Sequence, residues 1–325
     1  MIYLAVFILS FIFSLILTNL LKNLAKREKL INQKGIPFFG GLAIFFSTVL
    51  TLTIISGLNL QLAKILLGLL LGSSLILILG LIDDFKELSP LLNFVGQTIA
   101  VIVLIFFGLR THIILISEVL NIIVTLLWIL GLTNAFNLLD IMDGLCGGLA
   151  FIAALTFFLL AFLSGNFVIA AVSLSLAAAT LGFLIFNFPP AKIYLGNSGS
   201  MFLGFVLASL AIAISYAPTE RKIALFTPIL VLGLAIYDLL FVILMRILKR
   251  KSPIRKSKDH FALRLIAIGK TKREALVIMY LFGILFSISA LLVSRVTNIF
   301  GIIIIAFVII ISLLAGRKIS KVRVD

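Results

Sequence analysis

Charged residues are scarce in this chain of 325 residues, since 12% are charged whereas 62% are hydrophobic. A soluble domain carries about 25% charged residues. With this deficit and a mean hydropathy of +1.31, the sequence is typical of an integral membrane protein. Cysteine is also rare. The single Cys146 excludes an internal disulfide and indicates little about the compartment.

Acidic residues are few as well, 12 against 27 Lys and Arg, which gives a formal net charge of +15. A nucleic-acid-binding domain would carry such a charge on one face. No segment here could fold in water and present a basic face, so we expect no nucleic-acid partner. The first apolar run, residues 2–21, is followed by "KNLAKREK" without a small-residue cleavage site. It is therefore expected to be a retained helix rather than a signal peptide.

Long apolar runs are abundant, and a run of about 20 residues is needed to cross the hydrocarbon of a membrane. Eleven spans are predicted at residues 2–22, 36–58, 63–82, 92–109, 113–133, 145–164, 167–187, 200–217, 223–248, 276–294 and 298–316. No repeat or low-complexity linker divides them. The sequence predicts an all-α polytopic membrane protein of about 11 helices, with residues 1–325 forming one domain.

The basic residues indicate the orientation of the chain. The connections after the odd-numbered spans, with their flanks, hold 22 of the 27 Lys and Arg. The positive-inside rule places these connections and the C-terminus in the cytoplasm, and the N-terminus outside. Anchoring to anionic lipid head groups also explains basic runs, and we expect it of the C-terminal tail.

The unusual polar segments all follow odd-numbered spans. Asp83 and Asp84 follow span 3, "NAFNLLDIMDGLCGG" follows span 5, "LGNSG" follows span 7 and "DHFALRL" follows span 9. One composite site at the cytoplasmic membrane surface explains this sorting. Asp83 and Asp84 repel each other, so the pair favours a bound cation or a shared proton. A solvated helix end is the structural alternative.

The second segment has polar residues at every third position: Asn134, Asn137, Asp140 and Asp143. In a helix these side chains would share one face. Polar faces at a membrane boundary usually line a site or a cavity. A polar loop that caps two helices is the alternative interpretation.

The segment "YLGNSGS" is suited to binding phosphate. Gly196 and Gly199 allow successive amides to point inward, and Ser198 or Ser200 can cap the next helix. Free amides at a helix N-terminus bind anions, and Tyr194 offers a flat face for a base or sugar. A flexible turn would explain Ser and Gly but not the tyrosine.

His260 lies in the most basic loop, beside Asp259 and near Arg264. Such a group can bind a diphosphate by charge and hydrogen bonds. Asp238 and Arg246 are expected to pair or to face a pore, and His112 is expected to be incidental.

Together these segments resemble the polyprenyl-phosphate N-acetylhexosamine-1-phosphate transferase superfamily, glycosyltransferase family 4, which includes phospho-N-acetylmuramoyl-pentapeptide transferase. The resemblance covers nearly the whole chain. It rests on "GIPFFGGLAI", "GLIDDFKELSP", "NAFNLLDIMDGLCGG", "YLGNSGSMFLGF" and "DHFALRL" in the family's order. Eleven spans are closer to the undecaprenyl-phosphate N-acetylglucosamine-1-phosphate transferase branch.

The resemblance implies a role for each site residue. Asp83 would deprotonate or orient the lipid phosphate, Tyr194 would stack on uracil, and His260 matches the last histidine of a His-rich motif. The implied catalytic residues are Asp83, Asp84, Asp140, Asp143 and His260. The implied substrate-binding residues are Lys34, Asn134, Asn137, Tyr194, Gly196, Ser198 and Arg264. Asn137, Asn197 and Asp84 would bind Mg²⁺, with Mn²⁺ as the alternative.

The activity implied is transfer of a sugar-1-phosphate from a UDP-sugar to a polyprenyl phosphate, which releases UMP. It would be the first membrane step of cell-envelope glycan synthesis, such as that of O-antigen, at a bacterial-type plasma membrane. The resemblance leaves open a homodimer.

Two departures from the family keep alternatives open. Asn197 stands where the family usually has a magnesium-binding Asp, and Ile141 stands where Gly is usual. A catalytically weakened homologue is therefore one alternative, and a membrane lipid or sugar carrier is another. A carrier would place polar groups near mid-membrane. A CDP-alcohol phosphotransferase lacks support, since "DGLCGG" has no following Arg, and an intramembrane aspartyl protease lacks its Gly-x-Gly-Asp partner.

Overall fold

The protein is helical throughout the part that a computed structural model describes, residues 1–31, 35–56, 64–214, 222–250, 257–322 and 324. The helices are α1 (Ile2–Arg27), α2 (Gly40–Ser56), α3 (Lys64–Lys86), α4 (Pro90–Phe106), α5 (Glu118–Leu139), α6 (Leu145–Leu163), α7 (Phe167–Asn187), α8 (Gly196–Ala213), a 3-10 helix (Lys222–Phe226), α9 (Thr227–Val231), α10 (Gly233–Leu248), α11 (Phe261–Ala267), α12 (Lys272–Val293) and α13 (Asn298–Ser320).

Most of these helices are candidate membrane spans. Within the described ranges, eight helices are long and apolar enough to cross a membrane, and a pair bent by 71°, Lys222–Val231 with Gly233–Leu248, would be a ninth. Two shorter apolar helices are Gly40–Ile55 and Pro90–Phe106. The prediction of an all-α polytopic membrane protein is confirmed. The count of 11 spans stays a prediction, because it requires the bent pair and both short helices to cross.

Local sequence explains where several helices begin. Ser89 precedes Pro90 at the start of α4, and its hydroxyl accepts a hydrogen bond from the Leu92 amide. At α12, Thr271 and Glu274 form a capping box, in which each side chain accepts a bond from the other's backbone amide. Such caps satisfy amides that have no partner within the helix.

The described chain divides into two compact units, Met1–Ile214 and Ser215–Asp325. The first contains α1–α8 and the second contains the 3-10 helix and α9–α13. The expectation of a single domain over residues 1–325 stays a prediction.

Small residues bring the helices of the first unit close together. A Cβ atom added to Gly80 on α3 would lie 2.4 Å from Cα of Ser198, and one added to Gly41 on α2 would lie 2.4 Å from Cα of Gly199. Close backbone approach at small residues is typical of membrane helix packing. As a result, the last turns of α3 and the first turn of α2 both lie against the N-terminus of α8.

Arg264 organises the second unit. Its side chain is fully buried. It donates hydrogen bonds to the carbonyl oxygens of Ile319 and Ser320, at 3.3 and 3.1 Å, and to Oδ1 of Asp259 at 2.6 Å. Carbonyl groups at a helix C-terminus lack partners within the helix, so Arg264 caps α13.

Candidate active site

Asp84 lies in the last turn of α3 and binds the N-terminus of α8. Its Oδ1 accepts a hydrogen bond of 2.7 Å from the Asn197 amide, and its Oδ2 accepts one of 3.1 Å from the Ser198 amide. A carboxylate at a helix N-terminus is stabilised by the helix dipole. The predicted open phosphate cradle at these amides is therefore wrong, because Asp84 already occupies them.

Gly196 allows this approach. A Cβ atom at Gly196 would lie 2.8 Å from Oδ2 of Asp84 and 2.5 Å from the carbonyl oxygen of Phe38. Its φ of +79° is also in the region that favours glycine. Gly196 is thus required by the local packing, whereas its contact with substrate stays a prediction.

Asp83 is held separately from Asp84. Its Oδ2 accepts a hydrogen bond of 2.9 Å from Nδ2 of Asn197, and its Oδ1 accepts one of 2.7 Å from the Leu88 amide. Because each carboxylate has its own amide donors, the pair does not need a shared proton to relieve its repulsion. The Asn197 side chain faces Asp83 as a donor, so only its Oδ1 is left to coordinate a metal.

The polar face of α5 is shorter than predicted. The helix ends at Leu139 and Asp140 is its C-cap residue, with ψ of 53°. Asn134 and Asn137 share the helix, but Asp140 and Asp143 follow it, so the prediction of one common helical face is wrong for these two. Oδ1 of Asn137 accepts a hydrogen bond of 2.9 Å from the Ser200 hydroxyl. This contact joins α5 to the first turn of α8.

Asp140 differs from the other aspartates of this cluster, Asp83, Asp84 and Asp143. Oδ2 of Asp143 accepts a bond of 3.2 Å from the Ala191 amide, whereas no described residue donates a hydrogen bond to Asp140. Burial, and then the negative charges of Asp84 and Asp143, raise the pKa of Asp140 to about 7. An unpaired carboxylate beside two others is a position where a cation is favourable.

The donor set fits magnesium. No group of three His, Cys, Asp or Glu side chains with metal-binding geometry occurs in the described ranges. Magnesium, however, usually binds one or two carboxylates and completes its shell with water and substrate phosphates. Asp140 and the carboxamide oxygen of Asn197 are oxygen donors of that kind.

Tyr194 is positioned by the segment before α2. Its amide donates to the Pro37 carbonyl oxygen at 2.7 Å, and its own carbonyl oxygen accepts a bond of 3.0 Å from the Gly40 amide. Burial and the charges of Asp143 and Asp140 raise the pKa of the phenol. The ring therefore lies within electrostatic reach of the acidic cluster. Lys34 lies outside the described residues.

Two site residues were missed by the sequence analysis. Gln97 on α4 is buried, and its Oε1 accepts a bond of 2.7 Å from Nδ2 of Asn134. Asn187 accepts a bond of 2.9 Å from the Gly144 amide and donates one of 2.9 Å to the Ile193 carbonyl oxygen. The available signal was a carboxamide within, or at the end of, an apolar run.

His260 and Arg264 belong to the second unit. Nδ1 of His260 lies 2.7 Å from Oδ2 of Asp238. Arg264 is engaged with Asp259 and the end of α13, which gives it a structural role. The predicted contacts of both residues with substrate stay predictions, and the other described site residues all belong to the first unit.

The fold and this acidic site define the protein as a polytopic membrane protein that has a cluster of carboxylates where several of its helices end. Residues 66–215 match the family model for glycosyl transferase family 4. The chain belongs to this family, as the sequence resemblance predicts.

Several relatives are similar over most of their length. The chain is 34% identical over 291 residues, 86% of this chain and 79% of the relative, to a probable undecaprenyl-phosphate N-acetylglucosaminyl 1-phosphate transferase of Bacillus subtilis. It is 31% identical over 294 residues, 79% of this chain and 71% of the relative, to a decaprenyl-phosphate N-acetylglucosaminephosphotransferase of Mycolicibacterium smegmatis. A phospho-N-acetylmuramoyl-pentapeptide-transferase of Heliobacterium modesticaldum is 34% identical over 198 residues, 55% of this chain and 60% of the relative.

Proposed function

We propose that the protein transfers N-acetylhexosamine-1-phosphate from a UDP-sugar to a polyprenyl phosphate, as a first membrane step of cell-envelope glycan synthesis. The relatives that match most of the chain are named as N-acetylglucosamine-1-phosphate transferases acting with undecaprenyl or decaprenyl phosphate. The reaction joins an oxygen of the lipid phosphate to the β-phosphorus of the UDP-sugar. The bond from that phosphorus to UMP breaks, and UMP leaves with the bonding electrons.

The observation that carries this proposal is Asp140, to which no residue in the described ranges donates a hydrogen bond. Burial and the charges of Asp84 and Asp143 raise its pKa to about 7. A phosphate monoester loses its second proton near pH 6, so the attacking oxygen is already anionic at neutral pH. Catalysis then depends on positioning and charge neutralisation. Asp83 and Asp84 fix the N-terminus of α8 beside this carboxylate, and Tyr194 provides a partly exposed ring for the uracil base.

Magnesium, or Mn²⁺ in its place, would be held by Asp140 and the Asn197 carboxamide oxygen, where it would neutralise diphosphate charge. This assignment replaces Asp84, whose oxygens bind the α8 amides. Asn137 Oδ1 is likewise engaged by Ser200. The chain's own residues hold the α3, α5 and α8 ends together around the acidic cluster.

We place this site on the cytoplasmic side, with the N-terminus outside and the C-terminus inside. The support is the distribution of 22 of the 27 Lys and Arg after odd-numbered spans. The contacts between the ends of α3 and α5 and the start of α8 agree with the prediction that these three segments share one side.

The test is UMP release by the purified full chain, supplied with undecaprenyl phosphate, Mg²⁺ and a panel of UDP-sugars. Asp140→Asn should lower the rate by about 10²- to 10³-fold, the usual cost of one preorganised electrostatic group. Glu118→Gln is the matched control, since it removes one charge from the opposite end of α5. Absence of UMP release from every donor would favour the carrier or the weakened homologue.

A further inference from the structure

A groove lies between α1 and the end of α7, in a part of the first unit that the proposed reaction does not use. Its volume is about 620 Å³. This α1–α7 groove is lined by Leu15, Ile16, Asn19, Leu20, Asn23 and Phe186. The carboxamides enter the lining near the end of the apolar run at residues 2–21. Since α1 is a candidate membrane span, the groove lies at the level where hydrocarbon gives way to lipid head groups.

Lys22 is held at the edge of this groove by two of the lining residues. Its Nζ donates a hydrogen bond of 2.8 Å to Oδ1 of Asn19 and lies 5.1 Å from the centre of the Phe186 ring. A lysine at a membrane boundary otherwise extends its charged end toward water. These contacts instead keep the ammonium group of Lys22 beside the groove.

Two further lysines lie near Lys22. The positive charges of Lys26 and Lys192 both act on its ammonium group. Lys26 is one turn further along α1, and the Lys192 amide donates a hydrogen bond of 2.8 Å to the Phe186 carbonyl oxygen. The basic cluster of Lys22, Lys26 and Lys192 is thus assembled from α1 and from the segment that follows α7.

This basic cluster lacks an acidic partner. Among the residues that the structure describes, no carboxylate forms an ion pair with any of the three lysines. Glu28 pairs with Arg27 at 3.8 Å, and Asp143 accepts its hydrogen bond from the Ala191 amide. Cations brought together without a counter-ion repel each other, so a bound anion is favourable at this position.

We propose that the α1–α7 groove and the basic cluster form a binding site for an anionic phospholipid of the surrounding membrane. The lipid phosphate binds the lysine ammonium groups, and one acyl chain lies along Leu15 and Ile16. Basic pockets between membrane helices bind anionic lipid head groups in this way. A zwitterionic lipid fits less well, because its head group carries a cation that the three lysines would repel. The site does not depend on the proposed transfer reaction, so its test is lipid binding rather than UMP release.

Native mass spectrometry measures this binding on the full chain, delipidated in detergent and titrated with phosphatidylglycerol or with phosphatidylcholine. The first phosphatidylglycerol molecule should bind at least about tenfold more tightly than phosphatidylcholine. One lysine near an anionic lipid corresponds to about a fivefold factor in affinity. Replacement of the whole basic cluster by glutamine should therefore weaken phosphatidylglycerol binding by about 100-fold.

The matched control removes the same number of charges elsewhere. Arg317→Gln, Lys318→Gln and Lys321→Gln together neutralise three exposed cations at the end of α13. This triple variant should weaken the first phosphatidylglycerol by less than about twofold, because screening limits the reach of exposed charges. Equal losses in the two triple variants would indicate diffuse attraction to anionic lipid and would overturn the proposal. Equal affinities of the wild-type chain for the two phospholipids would overturn it as well.

A second pair of variants tests the groove without changing any charge. Ile16→Trp places a larger side chain in the groove and should lower the fraction of the chain that carries phosphatidylglycerol. Ile12→Trp, one turn earlier on α1 and outside the lining, should leave this fraction unchanged. Both isoleucines are exposed, 58% for Ile16 and 44% for Ile12, so neither substitution disturbs a packed core. Unchanged binding by Ile16→Trp would contradict a site in the groove.

Undecaprenyl phosphate distinguishes the two sources of a lipid phosphate. It is titrated in the same way into the wild-type chain and into the basic-cluster variant. Retention of phosphatidylglycerol in the presence of undecaprenyl phosphate is expected. If undecaprenyl phosphate displaces it, and its own binding is lost in the basic-cluster variant, the groove binds a polyprenyl substrate and the proposal is overturned.

Discussion

The two units of this protein stabilise their carboxylates in opposite ways. In the first unit, Asp83 and Asp84 accept hydrogen bonds from neutral amides of Leu88, Asn197 and Ser198. In the second unit, Asp259 binds the cations of Lys249 and Arg264. Neutral donors leave the negative charge uncompensated, whereas cations cancel it. The first cluster can therefore attract a metal ion or orient a charged substrate, and the second supports the fold.

The largest expected effect is on the second unit, where Asp259→Asn removes the charge that pairs with buried Arg264. Breaking a buried ion pair from one side costs about 3–5 kcal/mol, so thermal unfolding in detergent should occur at a distinctly lower temperature. Glu118→Gln is the comparison, because it breaks the exposed pair with Arg110. Exposed pairs contribute about 0–1 kcal/mol. An equal loss of thermal stability in the two variants would contradict the structural role assigned to Asp259 in the second unit.

In the first unit, Asp84→Asn should mainly affect activity. A carboxamide has one accepting oxygen, so its NH₂ group would face either the Asn197 or the Ser198 amide, and α8 would shift. We expect UMP release to fall by about 10²- to 10³-fold. Glu87→Gln removes an exposed charge one residue beyond α3 and should retain activity. Near-normal turnover of Asp84→Asn would favour the alternative interpretation, in which the Asp83–Asp84 pair only ends a helix and has no role in catalysis.

Asn197→Asp would make the first cluster more acidic. A carboxylate would replace the Nδ2 donor that now lies 2.9 Å from Asp83, so the variant should be less stable without metal. Added Mg²⁺ should restore stability, since two carboxylates then face the ion.

The measurement is thermal unfolding of both proteins with Mg²⁺ and with a chelator. A difference of about 1 kcal/mol corresponds to roughly 2–4 °C for a domain of about 200 residues. An identical response of the two proteins to Mg²⁺ would leave Asn197 as a turn residue outside the metal site.

The smallest effect concerns pH and Asp259. Burial alone would raise its pKa, but hydrogen bonds from Lys249, Ser257 and Arg264 outweigh burial and hold the pKa below its ordinary value. A lowered folded-state pKa stabilises the protein above the unfolded value of about 3.9, and this stability is lost as the pH falls through the folded pKa. The stability difference between wild type and Asp259→Asn should therefore shrink below about pH 4. A difference that is constant with pH would contradict this assignment.

Much of the candidate site follows from local sequence. A membrane span must satisfy its backbone groups within a helix, so hydropathy predicted the long helices that the structure describes. The short helix α11 (Phe261–Ala267) lies between two predicted spans and was not predicted. Because each segment follows an odd-numbered span, the sequence predicted that Asp83, Asn137 and Asn197 lie on the same side of the membrane. The contacts that these residues make at the start of α8 agree with that prediction. The end of α5 at Leu139 was not predictable from the three-residue spacing, because Asp140 continues the pattern while its backbone leaves the helix.

The sequence by itself determined the helical membrane architecture and the polar residues available for chemistry, because hydropathy and residue type act locally along the chain. Tertiary structure decided which groups remain free. Gly80 and Gly41 let α3 and α2 approach α8, so Asp84 occupies the amides that appeared open to phosphate. Within the cluster of Asp83, Asp84, Asp140 and Asp143, Asp140 is left without a described donor, and Asp238 contacts His260, 22 residues further along the chain. Each outcome depends on close approach between helices, which no local pattern encodes.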